Sequence, residues 1–237
     1  GIPLVCSQKT KDSGVRKTAG GAMSSGIKHV IWDWNGTLIN DGELCVSIVN
    51  ELLLELSIPS VSLQFYRENF QFPVRSYYEK IGFPKDNRIH ERISGEFIRR
   101  YRESWRSCDL QPNSLKALES LKGAGIGQSI LSASKTSDLS HFVSEFGLPG
   151  YFNQVQGVSH IQASGKAEIS RQHFKEINLP PSEVLLVGDT NHDGEIANGL
   201  KANCLLYTRG HNSEAVLARS GHPLIDDLMQ VPARVLD

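Results

Sequence analysis

The sequence has little of what marks a membrane protein or a nucleic-acid-binding protein. Its 237 residues carry a formal net charge of −1 with no long run of one sign, so neither a nucleic-acid footprint nor a polybasic membrane patch is indicated. The longest apolar runs, such as residues 52–54 and 184–187, are far too short to span a bilayer. We therefore expect no nucleic-acid partner and no membrane partner.

Cysteine is also scarce, and the apolar fraction of 39% is ordinary for a globular protein. The four cysteines, which show no Cys-x-x-Cys spacing, are Cys6, Cys45, Cys108 and Cys204. Scattered cysteines favour reduced thiols in an intracellular protein over a disulfide framework or a zinc site. The expected location is cytoplasmic.

The first 22 residues lack a hydrophobic period and are dominated by Gly, Ser, Lys and Thr. They contain no continuous apolar segment like that of a signal peptide, and Asp12 together with few arginines argues against a transit peptide. Met23 is suited to be a natural start. We predict that residues 1–27 form a flexible extension outside the folded part of the chain.

From Lys28 onward, short apolar strands alternate with helical segments. The predicted strands are residues 29–34, 128–132, 154–158, 184–187 and 204–207. The predicted helices between them are residues 113–122, 136–146, 166–177 and 193–200. This alternation is typical of a parallel sheet with helices on both faces. The predicted fold class is therefore α/β, a doubly wound, Rossmann-like parallel sheet, with a core domain of residues 28–42 and 108–237.

Residues 43–107 interrupt this alternation with helical patterning alone. One helical apolar face consists of Ile48, Leu52, Leu53 and Leu56. Residues 91–105 follow as a longer amphipathic helix, and no strand is evident between the two. We predict a small helical cap domain over residues 43–107, with its loop 70–75 facing the site. The cap residues expected to reach a ligand are Arg75, Tyr77 and Lys80.

Polar residues recur where predicted strands end. Asp33 ends the first strand, Ser132 ends the second, and Lys166 follows the third. Asp189 and Asp193 follow the fourth. Because the carboxyl ends of parallel strands meet at one edge of the sheet, we expect these five side chains to lie close together.

Their chemistry is coherent as a set. Asp33, Asp189 and Asp193 are suited to hold Mg²⁺, a hard cation that prefers oxygen ligands. A carboxylate is also a competent nucleophile toward phosphorus and would give an aspartyl-phosphate. Ser132 can donate a hydrogen bond to a phosphoryl oxygen, and Lys166 can neutralise developing negative charge. Phosphoryl transfer needs mainly this kind of positioning and charge stabilisation.

With these residues in this order, the sequence resembles the haloacid dehalogenase-like hydrolases, in the branch with a helical cap between the first and second motifs. The matching positions are Asp33, Gly36 and Thr37 in the first motif, Ser132, Lys166, and Gly188, Asp189 and Asp193 in the acidic motif. The resemblance implies a Mg²⁺-dependent phosphatase for a small phosphorylated metabolite, similar to phosphoglycolate phosphatases in cap type. The segment 132–135 also resembles the β-phosphoglucomutase branch.

Asn35 departs from that family's pattern. The resemblance implies an aspartate at this position, which protonates the leaving group and then activates water against the aspartyl-phosphate. An amide can do neither, although the backbone carbonyl of Asn35 can still bind Mg²⁺. General acid–base help is typically worth about 10²–10⁴-fold, so we expect slow turnover of alkyl phosphates and a gain of this size from Asn35→Asp.

Three functions stay open on the sequence alone. The first is a phosphatase acting through Asp33, slowed by Asn35. The second is a phosphate-ligand-binding or regulatory protein that keeps the metal without turnover. The third is C–P or C–halogen cleavage through the same nucleophile. The acidic pair Asp189 and Asp193 argues against a metal-free dehalogenase, and Lys80 and Lys85 are the only cap lysines for a Schiff base. No pattern indicates an oligomeric state.

Overall fold

The computed structural model describes residues 26–159 and 165–237, so nearly all of the predicted extension 1–27 lies outside the described residues. The strands are β1 His29–Trp32, β2 Gly127–Lys135, β3 Gln154–Val158, β4 Val184–Gly188, β5 Asn203–Tyr207 and β6 Leu224–Ile225. They form one six-stranded sheet in the order β3-β2-β1-β4-β5-β6, and every neighbouring pair is parallel.

Helices connect these strands. They are α1 Gly42–Glu55, α2 Leu63–Asn69, α3 Val74–Lys80, α4 Asn87–Ser104, α5 Ser114–Gly123, α6 Thr136–Glu145, α7 Gly165–Ile177, α8 Asn191–Leu200, α9 Glu214–Leu217 and α10 Gln230–Leu236. Within the described ranges, no helix combines the length and apolar character needed to cross a membrane.

Alternate residues of β1 face two different hydrophobic cores. Val30 and Trp32 belong to a core that includes residues of α5, α6 and α10, whereas Ile31 belongs to a second core with residues of α7, α8 and α9. Because side chains of a strand alternate between the two faces of its sheet, helices cover both faces. The predicted α/β doubly wound class is confirmed.

Strand β1 ends at Trp32, two residues before its predicted end, and two further details of the sheet differ from the sequence prediction. Strand β2 extends through Lys135, beyond the predicted end at residue 132, and its pairing with β3 shifts register between Leu131 and Lys135. The residues at this end of β2 are mostly polar, so the apolar run that predicted the strand stops before the strand does. Strand β6 was not predicted because its two residues, Leu224 and Ile225, are too short to show a pattern.

Helices α1 to α4 occupy the chain between β1 and β2. Ile48 and Leu52 of α1 and Ile93 of α4 are buried in the same hydrophobic core as Val30 of β1, so this core continues from the sheet into the helical segment. On the outside, Arg100 of α4 forms ion pairs with two glutamates of α1. Whether residues 43–107 behave as a separate cap domain stays a prediction.

A buried polar chain connects β1, β2, β3 and α7. Ser129 Oγ lies 2.8 Å from Nε2 of both His29 and His173, and His173 Nδ1 lies 2.9 Å from Oε1 of Gln156. Burial lowers the pKa of both histidines to about 4. Both imidazoles are therefore neutral in the folded protein at pH 7, and their protonation would create buried cations that only Glu176, near His173, partly offsets.

We predict an acid-sensitive fold. The unfolded chain binds protons at these histidines below pH 6.5 and the folded chain only near pH 4, so their contribution to stability is complete above pH 6.5 and is lost as the pH falls toward 4. His173→Gln should lower the dependence of the urea midpoint on pH across this window. His141→Gln, at an exposed histidine, should keep the wild-type dependence. Equal dependence in both variants would contradict the assignment.

Candidate active site

Strand β1 lies where the strand order reverses, between β2 and β4, and Asp33 follows its carboxyl end. The Asp33 N–H donates to the carbonyl of Val187 at 2.9 Å, which continues the ladder and fixes the backbone. Crevices outside the carboxyl ends of strands at such a reversal are the usual ligand sites of open α/β sheets. Asp33 is only 8% exposed.

A tight turn follows Asp33. The carbonyl of Trp34 accepts from the N–H groups of Leu38 and Ile39, at 3.0 and 3.1 Å. Gly36 has φ +79°, a left-handed conformation that favours glycine, and a Cβ there would lie 2.2 Å from Asp189 Oδ2. The turn also brings the Thr37 hydroxyl to Asp189 Oδ1, at 2.8 Å.

Lys166 lies at the centre of the site. Its Nζ donates to Asp33 Oδ1 at 2.5 Å and to Asp193 Oδ1 at 2.6 Å, and the side chain is almost completely buried. Burial alone would lower the pKa of Lys166, but the two carboxylates outweigh it and hold the pKa above its usual value. The ammonium is therefore a permanent cation that neutralises part of the acidic charge.

Asp193 is fixed by the beginning of α8. Its Oδ2 accepts from the N–H groups of Asp189 and Thr190, at 3.1 and 3.0 Å, and from the Thr190 hydroxyl at 2.8 Å. A Cβ at position 188 would lie 2.2 Å from Asp193 Cγ, so Gly188 is needed for this close approach. The other carboxylate oxygen is left for Lys166.

The three aspartates form a candidate metal centre, because ligand atoms of Asp33, Asp189 and Asp193 all lie within 4.8 Å of one another. Burial raises the pKa of Asp33 and of Asp189, and repulsion from neighbouring carboxylates adds to this. Burial would also raise the pKa of Asp193, but Lys166 and the Thr190 hydrogen bonds hold it below its usual value. The negative charge of these carboxylates exceeds the positive charge nearby, and their oxygens are the ligands that a hard divalent cation such as Mg²⁺ prefers.

Ser132 and Asn35 complete the predicted set. The Ser132 hydroxyl accepts from the N–H of Ser134 at 3.1 Å and lies 3.5 Å from Asn35 Oδ1. The Ser134 hydroxyl donates to the same Asn35 oxygen at 2.8 Å. The structure thus brings together all six residues selected from the sequence, which are Asp33, Asn35, Ser132, Lys166, Asp189 and Asp193. Their individual roles stay predictions.

Sequence reasoning missed a buried ion pair beside this cluster. His211 Nε2 lies 3.1 Å from Asp41 Oδ1, and the backbone N–H of His211 donates to Asp189 Oδ2 at 2.5 Å. Burial alone would lower the pKa of His211, but Asp41 and then Asp189 raise it to about 9. Burial would raise the pKa of Asp41, yet His211 and its hydrogen bonds hold it below the usual value. Both groups are charged at pH 7.

Two tyrosines of the helical segment contact this ion pair. Tyr66 of α2 places its hydroxyl 2.8 Å from His211 Nδ1. Tyr101 of α4 donates to Asp41 Oδ2, also at 2.8 Å. The helices between β1 and β2 therefore contribute directly to the polar surroundings of the site.

The cap residues that were predicted to reach a ligand have different surroundings in the structure. Loop 70–75 does reach the acidic motif, because Phe72 stacks on His192 with ring centroids 4.8 Å apart. The Arg75 guanidinium instead bonds Glu79 and Asn87 within the helical segment, at 2.9 and 2.7 Å. Of the two remaining candidates, Lys80 is exposed and Tyr77 is buried. Their contact with a ligand stays a prediction.

Comparison with known proteins identifies the class. The family described as haloacid dehalogenase-like hydrolase matches residues 30–206, which include all six predicted site residues. The chain belongs to this family, and the family together with the names of its relatives supports a phosphatase.

Individual relatives are distant but similar over most of their length. A phosphoglycolate phosphatase of Pseudomonas syringae pv. tomato is 23% identical over 219 residues, covering 89% of this chain and 80% of that protein. A haloacid dehalogenase-like hydrolase of Streptococcus pneumoniae superimposes with a TM-score of 0.75 at 21% identity, covering 87% and 97%. CbbY of Rhodobacter sphaeroides, solved with xylulose-1,5-bisphosphate, gives a TM-score of 0.65 at 20% identity, covering 88% and 99%.

We predict that the turn after Asp33 tolerates no side chain at position 36. A Cβ on Gly36 would lie 2.2 Å from Asp189 Oδ2 and 2.4 Å from His211 Cδ2, in addition to the backbone strain of φ +79°. Gly125 is a matched control, because its φ is +76° and nothing lies within 4 Å of its Cβ position. Gly125→Ala should cost only the strain, about 1–3 kcal/mol. Gly36→Ala should cost clearly more in urea unfolding. Equal losses would mean that the contact yields freely.

Proposed function

We propose that the protein is a Mg²⁺-dependent phosphatase that acts on a small phosphorylated metabolite through an aspartyl-phosphate on Asp33. The observation that carries the proposal is the Asp33 carboxylate, held by Lys166 at 2.5 Å beside two further carboxylates at the carboxyl edge of the sheet. A nucleophilic carboxylate next to a fixed cation and a metal centre suits phosphoryl transfer better than other hydrolytic chemistry.

In the first step a carboxylate oxygen of Asp33 attacks phosphorus, and the bond from phosphorus to the leaving oxygen breaks. The leaving oxygen takes a proton from water, since the Asn35 amide has none to give. In the second step water attacks phosphorus and gives a proton to the hydroxide left by the first step, the bond between Asp33 and phosphorus breaks, and inorganic phosphate is released. Asp33, Asp189 and the Asn35 carbonyl, with Asp193 nearby, would hold Mg²⁺, which would supply positive charge to the phosphoryl oxygens.

The other residues act by position. Lys166 keeps one oxygen of Asp33 fixed and offers positive charge toward the phosphoryl group. Ser132 offers its hydroxyl from β2, which pairs with β1. Near-complete burial of these side chains excludes water and strengthens every charge interaction in the site.

Substrate choice follows from Asn35. Leaving groups that need no proton, such as those of aryl or acyl phosphates, should be favoured because no acid stands at position 35. A relative named phosphoglycolate phosphatase and a structural neighbour solved with a sugar bisphosphate both support a small phosphorylated metabolite as the substrate.

One observation favours a second candidate, a phosphate-ligand-binding or regulatory protein with little turnover. The Asn35 side chain is occupied at both ends by hydrogen bonds within the protein, so it is not free to assist a leaving group. Such a protein would bind phosphate and Mg²⁺, and its phosphate release would be the same in the wild type and in a variant without the Asp33 carboxylate.

We predict Mg²⁺-dependent phosphate release that depends on Asp33. A screen of phosphorylated metabolites together with aryl and acyl phosphates should yield at least one substrate for the wild type, measured as phosphate released. Asp33→Asn should abolish turnover because the nucleophile is lost. Asp226→Asn, which makes the same change at an exposed position, should keep wild-type activity. Binding without Asp33-dependent release would favour the second candidate.

We also predict that Mg²⁺ stabilises the fold. A cation that binds the folded state alone should raise the free energy of unfolding by about 2.7 kcal/mol at a hundred times its Kd. The thermal midpoint of the wild type should therefore rise with added Mg²⁺ and return on chelation. Asp189→Asn should lose most of this response, whereas Asp226→Asn should retain it. An equal Mg²⁺ response in both variants would place the metal elsewhere.

A further inference from the structure

The Asn35 side chain has a fully determined orientation. Its Nδ2 donates to Asp41 Oδ2 at 2.8 Å and to the Tyr101 hydroxyl at 3.0 Å. Its Oδ1 accepts from the Ser134 hydroxyl at 2.8 Å, with the Ser132 hydroxyl at 3.5 Å. The amide therefore needs its nitrogen on the side of Asp41 and its oxygen on the side of the serines.

Asp41 makes that requirement strict. Its carboxylate is completely buried and has only donors around it: Asn35, Tyr101 and the His211 imidazole. One further neighbour, Cys45 Sγ, lies 3.9 Å from Oδ2. A buried carboxylate surrounded in this way accepts hydrogen bonds on every side, and each donor it loses leaves a buried acceptor unsatisfied.

A carboxylate at position 35 would conflict with this arrangement. It would put an acceptor oxygen where Nδ2 now lies, 2.8 Å from Asp41 Oδ2. Two carboxylates at that distance cannot both be ionised without great cost, so one must take up a proton or the loop must move. An amide at position 35 avoids the conflict because it keeps a donor on that side.

We propose that Asp41, ion-paired with His211, is a positioning residue whose carboxylate requires an amide at position 35, so that residues 35 and 41 form a coupled pair. The consequence for the reaction rests on the proposed phosphatase function. In place of the gain expected from the sequence, Asn35→Asp alone does not restore an acid in a normal environment, because it creates two facing carboxylates. The acid is restored by exchanging the two groups, as Asn35→Asp together with Asp41→Asn.

The exchange keeps what the pair needs. The total charge is unchanged, and an amide at position 41 can donate to a carboxylate at position 35 across the same contact. Tyr101 stays as a neighbour of both positions. His211 retains its backbone bond to Asp189, and one carboxylate stays within the pair. Each single substitution, in contrast, leaves either two facing carboxylates or no carboxylate in the pair beside the buried imidazole of His211.

A double-mutant cycle on stability tests the coupling without any activity. Wild type, Asn35→Asp, Asp41→Asn and the double variant are unfolded in urea with Mg²⁺ absent. We expect both single variants to lower the midpoint and the double variant to lower it by much less than the sum. Asn35→Asp combined with the exposed Asp226→Asn is the matched control and should be additive. Additive losses in the 35/41 cycle would overturn the proposal.

The kinetic arm separates positioning from mere structural support. Phosphate release is measured for aryl phosphates whose leaving groups span a range of acidity, and for one alkyl phosphate. The wild type should show a steep dependence of kcat/KM on leaving-group pKa, and the exchanged variant a shallow one. On the alkyl phosphate the exchanged variant should gain in kcat by a factor within the general-acid range of about 10²–10⁴. The same dependence in both enzymes would overturn the role in catalysis.

Failure of the proposed function would be recognisable. If none of the four proteins released phosphate while the stability cycle was non-additive, the phosphatase assignment would fall and the coupled pair would stand. If Asp41→Asn does not fold, Tyr101→Phe keeps the test open, because it removes only the hydroxyl between Asp41 and Asn35. Combined with Asn35→Asp, it should change the urea midpoint non-additively because both substitutions act at Asp41 Oδ2, whereas Tyr151→Phe, at a surface hydroxyl bonded to Glu119, should be additive. Additive losses for both tyrosine variants would count against the proposal.

Discussion

Buried charge of unequal sign is the constraint on which the rest of this structure depends. Four carboxylates, those of Asp33, Asp41, Asp189 and Asp193, are buried within the described residues at one edge of the sheet. The cations buried with them are Lys166 and protonated His211, so negative charge exceeds positive charge. A protein interior tolerates such an excess only with protons, dense hydrogen bonding or a bound cation.

The two cations contact different carboxylates. Lys166 joins Asp33 to Asp193 and so ties the end of β1 to the beginning of α8. His211 pairs with Asp41 and, through its backbone, with Asp189. Lys166 and His211 thus each contact two carboxylates. The group formed by Asp33, Asp189 and Asp193 still holds three carboxylates close together, and this group is suited to Mg²⁺.

The helical segment takes part in this balance. Tyr66 and Tyr101 reach the Asp41–His211 pair, and Arg67 of α2 donates to the carbonyl of Gly210 at 2.8 Å. These contacts come from helices that share a hydrophobic core with the sheet. The surroundings of position 35 are therefore set jointly by strand ends and by helices inserted far from them in sequence.

The sequence by itself determined the fold class and the six candidate site residues, because both follow from local rules. Apolar alternation predicts strands and helices, and polar residues at strand ends meet at one edge. The same rule could have found His211, which follows β5 by four residues, but a single histidine after a strand shows no partner in the sequence and was missed.

Only the tertiary structure decided what those residues touch. Asp41 and His211 are 170 positions apart, and their pairing depends on burial that no local pattern encodes. The orientation of the Asn35 amide likewise depends on Asp41, on Tyr101 and on Ser134, which come from three separate segments. Electrostatic energies of buried groups are set by all neighbours within a few ångströms, whatever their distance along the chain, and this is why the sequence named the residues while the fold set their interactions.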